Sequence, residues 1–133
     1  MEREHGSGER WQQWATTTWI ERLQSLGDDV RVAVLDGQTR PSFVLDAARD
    51  ASRRRVSVVL LDCADAPREA RLIDGRKQPE LVTPRMANWA AHLRREADAF
   101  NVQIIDTSAL SIDDVADRIE GIITKLRTIE ERA

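Results

Sequence analysis

The segment Asp36-Gly37-Gln38-Thr39-Arg40 places an acid, a glycine and a base close together, directly after the apolar run Val32–Leu35. A carboxylate at a strand end can hold Mg²⁺ through water, and glycine lets the backbone turn close to a ligand. An arginine at the next turn can bind phosphate or carboxylate through two parallel hydrogen bonds. A tight turn with a solvated Arg40 accounts for the same residues, so both interpretations stay open on this string alone.

Two more aspartates follow apolar runs, Asp62 after Val56–Leu61 and Asp106 after Val102–Ile105. In open parallel sheets, ligands bind in the crevice beyond the carboxyl ends of the strands. If all three runs are strands of one sheet, Asp36, Asp62 and Asp106 face a single site.

These acids depend on strands that alternate with helices along the chain. Thr83 before Pro84 and Ser111 three residues before Asp114 are typical helix starts, and we expect Phe100 and Ile112 to point inward. The pattern predicts an α/β fold with a mostly parallel sheet in three α/β/α layers. The predicted strands are Val30–Asp36, Val56–Asp62 and Val102–Asp106. The predicted helices are Glu9–Leu26, Pro41 to about Arg55, Pro67–Ile73, Thr83–Phe100 and a last helix from Ser111.

From about residue 12 to residue 131, this element order and the turn after Leu35 resemble the C-terminal part of P-loop kinases of small molecules or nucleotides. The likeness is to proteins grouped with gluconate, shikimate and adenylylsulfate kinases. It implies transfer of a phosphoryl group from ATP, with Mg²⁺ held through water by Asp36. It also implies that Gly37, Gln38 and Arg40 contact the substrate.

The same resemblance assigns roles to two later segments. A basic stretch after the second strand corresponds to the arginine-rich lid of these kinases, which implies that Arg68, Arg71 and Arg76 stabilise charge on the transferred phosphate. The loop Asp106-Thr107-Ser108 corresponds to the segment that contacts the adenine ring. Solvated surface arginines and a simple strand exit are the competing interpretations.

The motif that would hold the phosphates is missing. A P-loop needs Gly-x-x-x-x-Gly-Lys-Ser/Thr between a strand and a helix, whereas Gly6–Arg10 lacks the lysine and Gly75-Arg76-Lys77 lacks the following hydroxyl residue. The first strands of the family are therefore absent. Either the strands ending at Asp36 and Asp62 pair directly, or a partner chain or second copy fills the gap.

Three hypotheses follow for function. The first is phosphoryl transfer to a small molecule or nucleotide once a P-loop segment from elsewhere completes the domain. The alternative is a non-catalytic kinase-like binding or dimerisation module, for which Trp11, Trp14 and Trp19 on one helix face supply an interface. A receiver-like or flavodoxin-like domain with Asp62 as acceptor explains fewer of these residues, because this chain lacks the lysine that such a domain needs after the last strand.

Composition narrows the remaining possibilities. The chain has 133 residues, 41% of them hydrophobic, which predicts one domain, over residues 9–133. The segment Gly6-Ser7-Gly8 predicts a flexible lead-in over residues 1–8. A net charge of −3 argues against nucleic-acid binding, and the apolar runs are too short to span a membrane. The single Cys63 and the separated His5 and His92 indicate no metal cluster and a reducing, cytoplasmic location.

Overall fold

The computed structural model describes residues 8–50 and 53–132. The predicted lead-in lies outside these residues except for Gly8, with which the first helix begins. The described part of the chain is mixed α/β and mostly helical, with a small parallel sheet. None of its helices is long and apolar enough to cross a membrane. Its helices are α1 Gly8–Gln24, α2 Pro41–Asp50, α3 Asp65–Ala70, α4 Pro84–Ala99 and α5 Ile112–Arg132, and its strands are β1 Val59–Asp62 and β2 Gln103–Asp106.

The chain divides into two compact units, one of Val59–Glu120 and the other of the segments before and after it. In the latter, α1 packs on α2. Thr16, Ile20 and Gln24 are buried on α1, and their four-residue spacing places them on one stripe of the helix. This stripe, and not the tryptophan face, supplies the buried residues of α1.

Gln24 and Arg54 connect the end of α1 to the chain that follows α2. The Gln24 side chain accepts from the Arg54 backbone N–H at 2.7 Å and donates to the Arg54 carbonyl at 3.0 Å. The Arg54 guanidinium donates to the carbonyls of Leu26, Gly27 and Val30. These three carbonyls lie in the segment that follows α1, and one arginine side chain satisfies all of them.

The second unit contains the sheet. Strands β1 and β2 are parallel, with Val59 opposite Gln103 and Asp62 opposite Asp106. The crossover between them runs through α3, a π-helical turn at Arg71–Gly75, a 3₁₀ turn at Pro79–Leu81 and α4. Helix α4 packs against both strands, and the buried apolar side chains of this unit are Leu72, Ala97, Val102 and Ile105.

The starts of α4 and α5 agree with the expected caps, and α4 ends in a cap that was not predicted. The Thr83 hydroxyl accepts from the Met86 backbone N–H at 3.2 Å, with Pro84 in the first turn. Asn101 has φ 55°, and Val102 N–H donates to the Ala97 carbonyl at 2.8 Å, which is a Schellman ending. Ser111 and Asp114 exchange hydrogen bonds at 3.0 and 3.3 Å, as a capping box requires.

The predicted strand Val30–Asp36 is wrong. Residues 30–40 form neither helix nor strand, and Val34 is 68% exposed. A strand needs the backbone groups of a neighbour, and the sheet of the described residues contains only β1 and β2. Asp36 therefore does not end a strand. Of the predicted fold, the described residues show a mixed α/β structure with a parallel sheet, and the three-layer arrangement is not confirmed.

Smaller expectations also fail. Ile112 is 89% exposed and Phe100 is half exposed, although both were expected to point inward. Ile112 is the first residue of α5 and Phe100 is the C-cap of α4. Helix periodicity does not fix the direction of a side chain at a terminus, because the packed face ends there. The expected helix at Pro67–Ile73 is α3 followed by the π-helical turn.

Candidate functional site

The carboxyl ends of β1 and β2 lie side by side and are locked together by the loop after β2. Asp62 and Asp106 are register partners. The Thr107 backbone N–H and the Thr107 hydroxyl both donate to the Asp62 carbonyl, at 2.8 and 2.9 Å. The expectation that Asp62 and Asp106 share one edge of a sheet is confirmed.

The Asp62 carboxylate is paired with an arginine from α4. Arg94 Nε donates to Oδ2 at 2.6 Å and Arg94 Nη2 donates to Oδ1 at 2.9 Å. The Asp62 side chain is only 13% exposed, and hydrogen bonding to this carboxylate raises the pKa of Arg94 above its ordinary value. A bidentate pair of this kind fixes the orientation of both groups.

Sequence reasoning placed Arg94 on the helix after the lid, in a basic cluster near Asp36, and gave it no carboxylate partner, although the helix pattern contained a signal for one. Arg94 lies four residues after Ala90 and three before Ala97, which places it toward the packed face of α4. A charged residue at such a position needs a partner of opposite charge, and the strand-end aspartates were the available candidates.

Asp106 is held within its own loop. Its Oδ1 accepts from the Ser108 hydroxyl at 2.6 Å and from the Ser108 backbone N–H at 3.0 Å. These two bonds, the hydroxyl first, lower the pKa of Asp106 below its ordinary value, with smaller contributions from Arg94 and Arg71. The Ser108 hydroxyl in turn accepts from the Ala64 backbone N–H at 2.9 Å, which joins the loops that follow the two strands.

Arg71 spans both loops from the π-helical turn. Its Nη1 donates to the Thr107 hydroxyl at 3.1 Å and lies 3.4 Å from the Cys63 sulfur. Its Nη2 donates to the carbonyls of Thr107 and Ser108. A predicted lid arginine and two predicted cofactor-loop residues are therefore in direct contact.

The other predicted lid residues lie nearby in sequence but have different surroundings. Arg68 pairs with Asp65 at 2.9 Å and donates to the Cys63 carbonyl at 3.4 Å. Arg76 is exposed, next to Lys77, whose φ of 56° lies in the left-handed region. Of the three arginines, Arg71 is the one with hydrogen bonds to the loop after β2.

An open cavity of about 420 Å³ lies at the strand ends. Four carboxylates and one guanidinium line it, so it favours a cation, or an anion that carries its own cation. Within the described residues, no group of three or more histidine, cysteine, aspartate or glutamate side chains is arranged to hold a metal ion. The lining residues are Asp62, Ala64, Asp65, Arg94, Asp98, Ile104 and Asp106.

The predicted substrate segment belongs to the other compact unit. Asp36, Gly37 and Gln38 are exposed, and a Cβ at Gly37 would meet nothing within 4 Å, so packing does not require a glycine there. Arg40 is held by α1, where Gln12 Oε1 accepts from Arg40 Nη1 at 2.7 Å and from the Arg40 backbone N–H at 3.3 Å.

Mg²⁺ and ATP, which the resemblance implies, can be compared with these donors. Asp36 offers a single exposed carboxylate, and one carboxylate binds Mg²⁺ together with waters and substrate phosphates. Arg71 keeps its charge on neutral acceptors beside Asp106-Thr107-Ser108, as a phosphate contact would require. Asp36 and Arg71 belong to different compact units, so each is compared with the nucleotide complex by itself.

Comparison of the chain with protein family models, with curated proteins and with solved structures found no match.

Proposed function

We propose that this chain is the lid and nucleotide-loop part of a P-loop kinase-like protein. In this proposal it binds the phosphates of Mg·ATP at the carboxyl ends of β1 and β2. Phosphoryl transfer to a small molecule or nucleotide then takes place once a P-loop segment from elsewhere completes the domain.

The observation that carries the proposal is the contact of Arg71 with Thr107 and Ser108. The resemblance assigns Arg71 to the phosphates and the loop after β2 to the adenine ring of the same nucleotide. A ligand that uses both segments needs them adjacent at the strand ends, where ligands of open α/β sheets bind. The hydrogen bonds of Arg71 supply this adjacency.

The charges at the strand ends support a nucleotide complexed with Mg²⁺ over the free nucleotide. A phosphate that approaches Arg71 also experiences Asp65, Asp98 and Asp106, which line the neighbouring cavity. Like charges at close range raise the free energy of binding. Mg²⁺ bound to the phosphates removes most of this repulsion, and metal ions neutralise the same oxygens during phosphoryl transfer.

Isothermal titration of the chain with Mg·ATP tests the proposal. We expect weak binding, because the P-loop is missing, and stronger binding with Mg²⁺ than without it. Arg71→Ala should lower the affinity by roughly tenfold or more, the usual loss for a hydrogen bond to a charged group. Arg95→Ala is the matched control, since Arg95 is an exposed arginine of α4. Absence of Mg·ATP binding by the unaltered chain would exclude a nucleotide site in this part of the protein.

A non-catalytic assembly module is the second candidate. Trp14 and Trp19 are each about half exposed on α1, whereas Thr16, Ile20 and Gln24 supply the buried stripe. Large aromatic side chains outside the core are typical anchors of protein interfaces. This candidate needs no nucleotide, so the titration above separates the two.

A further inference from the structure

Four of the hydrogen bonds of Thr107 join β1, the loop after β2 and the π-helical turn. Its backbone N–H and hydroxyl donate to the Asp62 carbonyl. Its hydroxyl oxygen and its carbonyl accept from Arg71. A threonine hydroxyl has one proton, and donation to Asp62 at 2.9 Å uses that proton. The oxygen lone pairs therefore remain for Arg71 Nη1, 3.1 Å away.

We infer that Thr107 is a positioning residue, which acts on an anionic ligand by holding the guanidinium of Arg71. This assigns Thr107 a role different from direct contact with a cofactor, because its hydroxyl is already bonded on both sides. The inference rests on the proposed function for the identity of the anion, a nucleotide phosphate. The hold on Arg71 itself does not depend on that identity.

The chemistry of the acceptors separates Arg71 from the other arginines of this unit. Arg94 and Arg68 are paired with the carboxylates of Asp62 and Asp65, which neutralise much of their charge. Arg71 is oriented by a hydroxyl, a sulfur and two carbonyls, which carry no net charge. These bonds orient the exposed guanidinium of Arg71 and leave Asp106 as a negative charge near it, so more of its positive charge remains for an anion than with a paired arginine.

The positioning role predicts a specific coupling between the two residues. Thr107→Val keeps the shape of the side chain and removes the hydroxyl, so Arg71 loses one of its anchors. We expect the affinity for Mg·ATP to fall by about tenfold, as for other hydrogen bonds to charged groups. Thr107→Ser retains the hydroxyl and should bind within about twofold of the unaltered chain. In the Arg71→Ala background, Thr107→Val should change the affinity by less than about twofold, because its effect passes through Arg71.

The test is a double-mutant cycle, in which Mg·ATP is titrated into the unaltered chain, Thr107→Val, Arg71→Ala and the double variant. A loss on Thr107→Val that is equally large with and without Arg71 would show that Thr107 acts independently, and it would overturn the inference. Side-chain NMR of Arg71 in the free chain gives a second readout, since Thr107→Val should speed the rotation of the guanidinium and Thr107→Ser should not. If the unaltered chain binds no Mg·ATP, the proposed function fails, and the rotation of Arg71 alone decides the positioning role.

If Thr107→Val does not fold, Arg71→Lys tests the same contact from the other partner. Lysine keeps the charge but lacks the planar fork that reaches several acceptors. We expect its affinity for Mg·ATP to lie close to that of Arg71→Ala. An affinity equal to that of the unaltered chain would show that charge without orientation suffices, and it would overturn the inference.

Discussion

Asp106 shows how a single hydroxyl sets the ionisation of a strand-end carboxylate. The Ser108 hydroxyl at 2.6 Å is the largest cause of the lowered pKa of Asp106. Ser108→Ala removes this bond and keeps the backbone N–H bond, so the pKa of Asp106 should rise toward its ordinary value of 3.8. NMR titration of the carboxyl carbon measures the change directly. Ser111→Ala, at the start of α5, is the control and should leave the Asp106 titration in place.

The lowered pKa of Asp106 also predicts how the stability of the folded chain changes with pH. A carboxyl whose pKa is lower in the folded state stabilises that state above the unfolded pKa. The stabilisation is lost as the pH falls below about 3.8 and through the folded pKa. In Ser108→Ala, the free energy of unfolding should therefore differ less between neutral and acid solution than in the unaltered chain. An Asp106 titration that is identical in both chains would contradict the assignment of the hydroxyl as the main cause.

At the scale of elements, the end of α4 depends on a backbone conformation that few residues adopt. Asn101 has φ 55°, where asparagine is tolerated and most other side chains are strained. Asn101→Ala should lower the free energy of unfolding by roughly 1 kcal/mol, whereas Asn101→Gly should change it by less than about 0.5 kcal/mol. Urea denaturation measures both, with Arg95→Ala within α4 as the control. A loss for glycine as large as for alanine would show that the asparagine side chain, not the backbone, stabilises this turn.

Local signals predicted the starts of α4 and α5 well. Thr83-Pro84 and the Ser111–Asp114 pair lie within one turn of the backbone groups that they cap, so a few neighbouring residues determine the outcome. The strand prediction for Val30–Asp36 failed for the opposite reason. Its apolar run matches a buried strand, but a strand exists only beside a partner, and no local pattern shows whether the partner is present.

The candidate site, like the fold, was predictable only in part. Alternation of strands and helices placed Asp62 and Asp106 at one edge, because parallel pairing follows from the crossover. The contact between Arg71 and Thr107 joins residues that are 36 positions apart. It also depends on the π-helical turn at Arg71–Gly75, which has no recognisable sequence signal. The residue types indicated phosphate chemistry, while their mutual contact required the folded chain.

At the scale of the whole molecule, the small sheet leaves strand edges that no described strand covers. It has two strands among the described residues, so each strand has one such edge. Isolated two-stranded sheets are marginally stable, and open edges pair readily with other chains. On β1, Leu61 is 49% exposed, whereas its register partner Ile105 is 2% exposed. A second copy of this chain is the partner that is always present at high protein concentration.

We therefore expect the average mass of the chain in solution, measured by light scattering, to rise with concentration. Leu61→Lys places a charge on the exposed side of β1, as natural edge strands do to prevent pairing, and it should weaken self-association by about tenfold or more. Val34→Lys removes an exposed apolar side chain that lies outside the sheet, and it should leave the association unchanged. Equal effects of both substitutions would indicate general hydrophobic adhesion, and a constant monomer mass would show that the strand edge attracts no second copy. Loss of association in Leu61→Lys alone would identify the exposed side of β1 as part of the interface with the second copy.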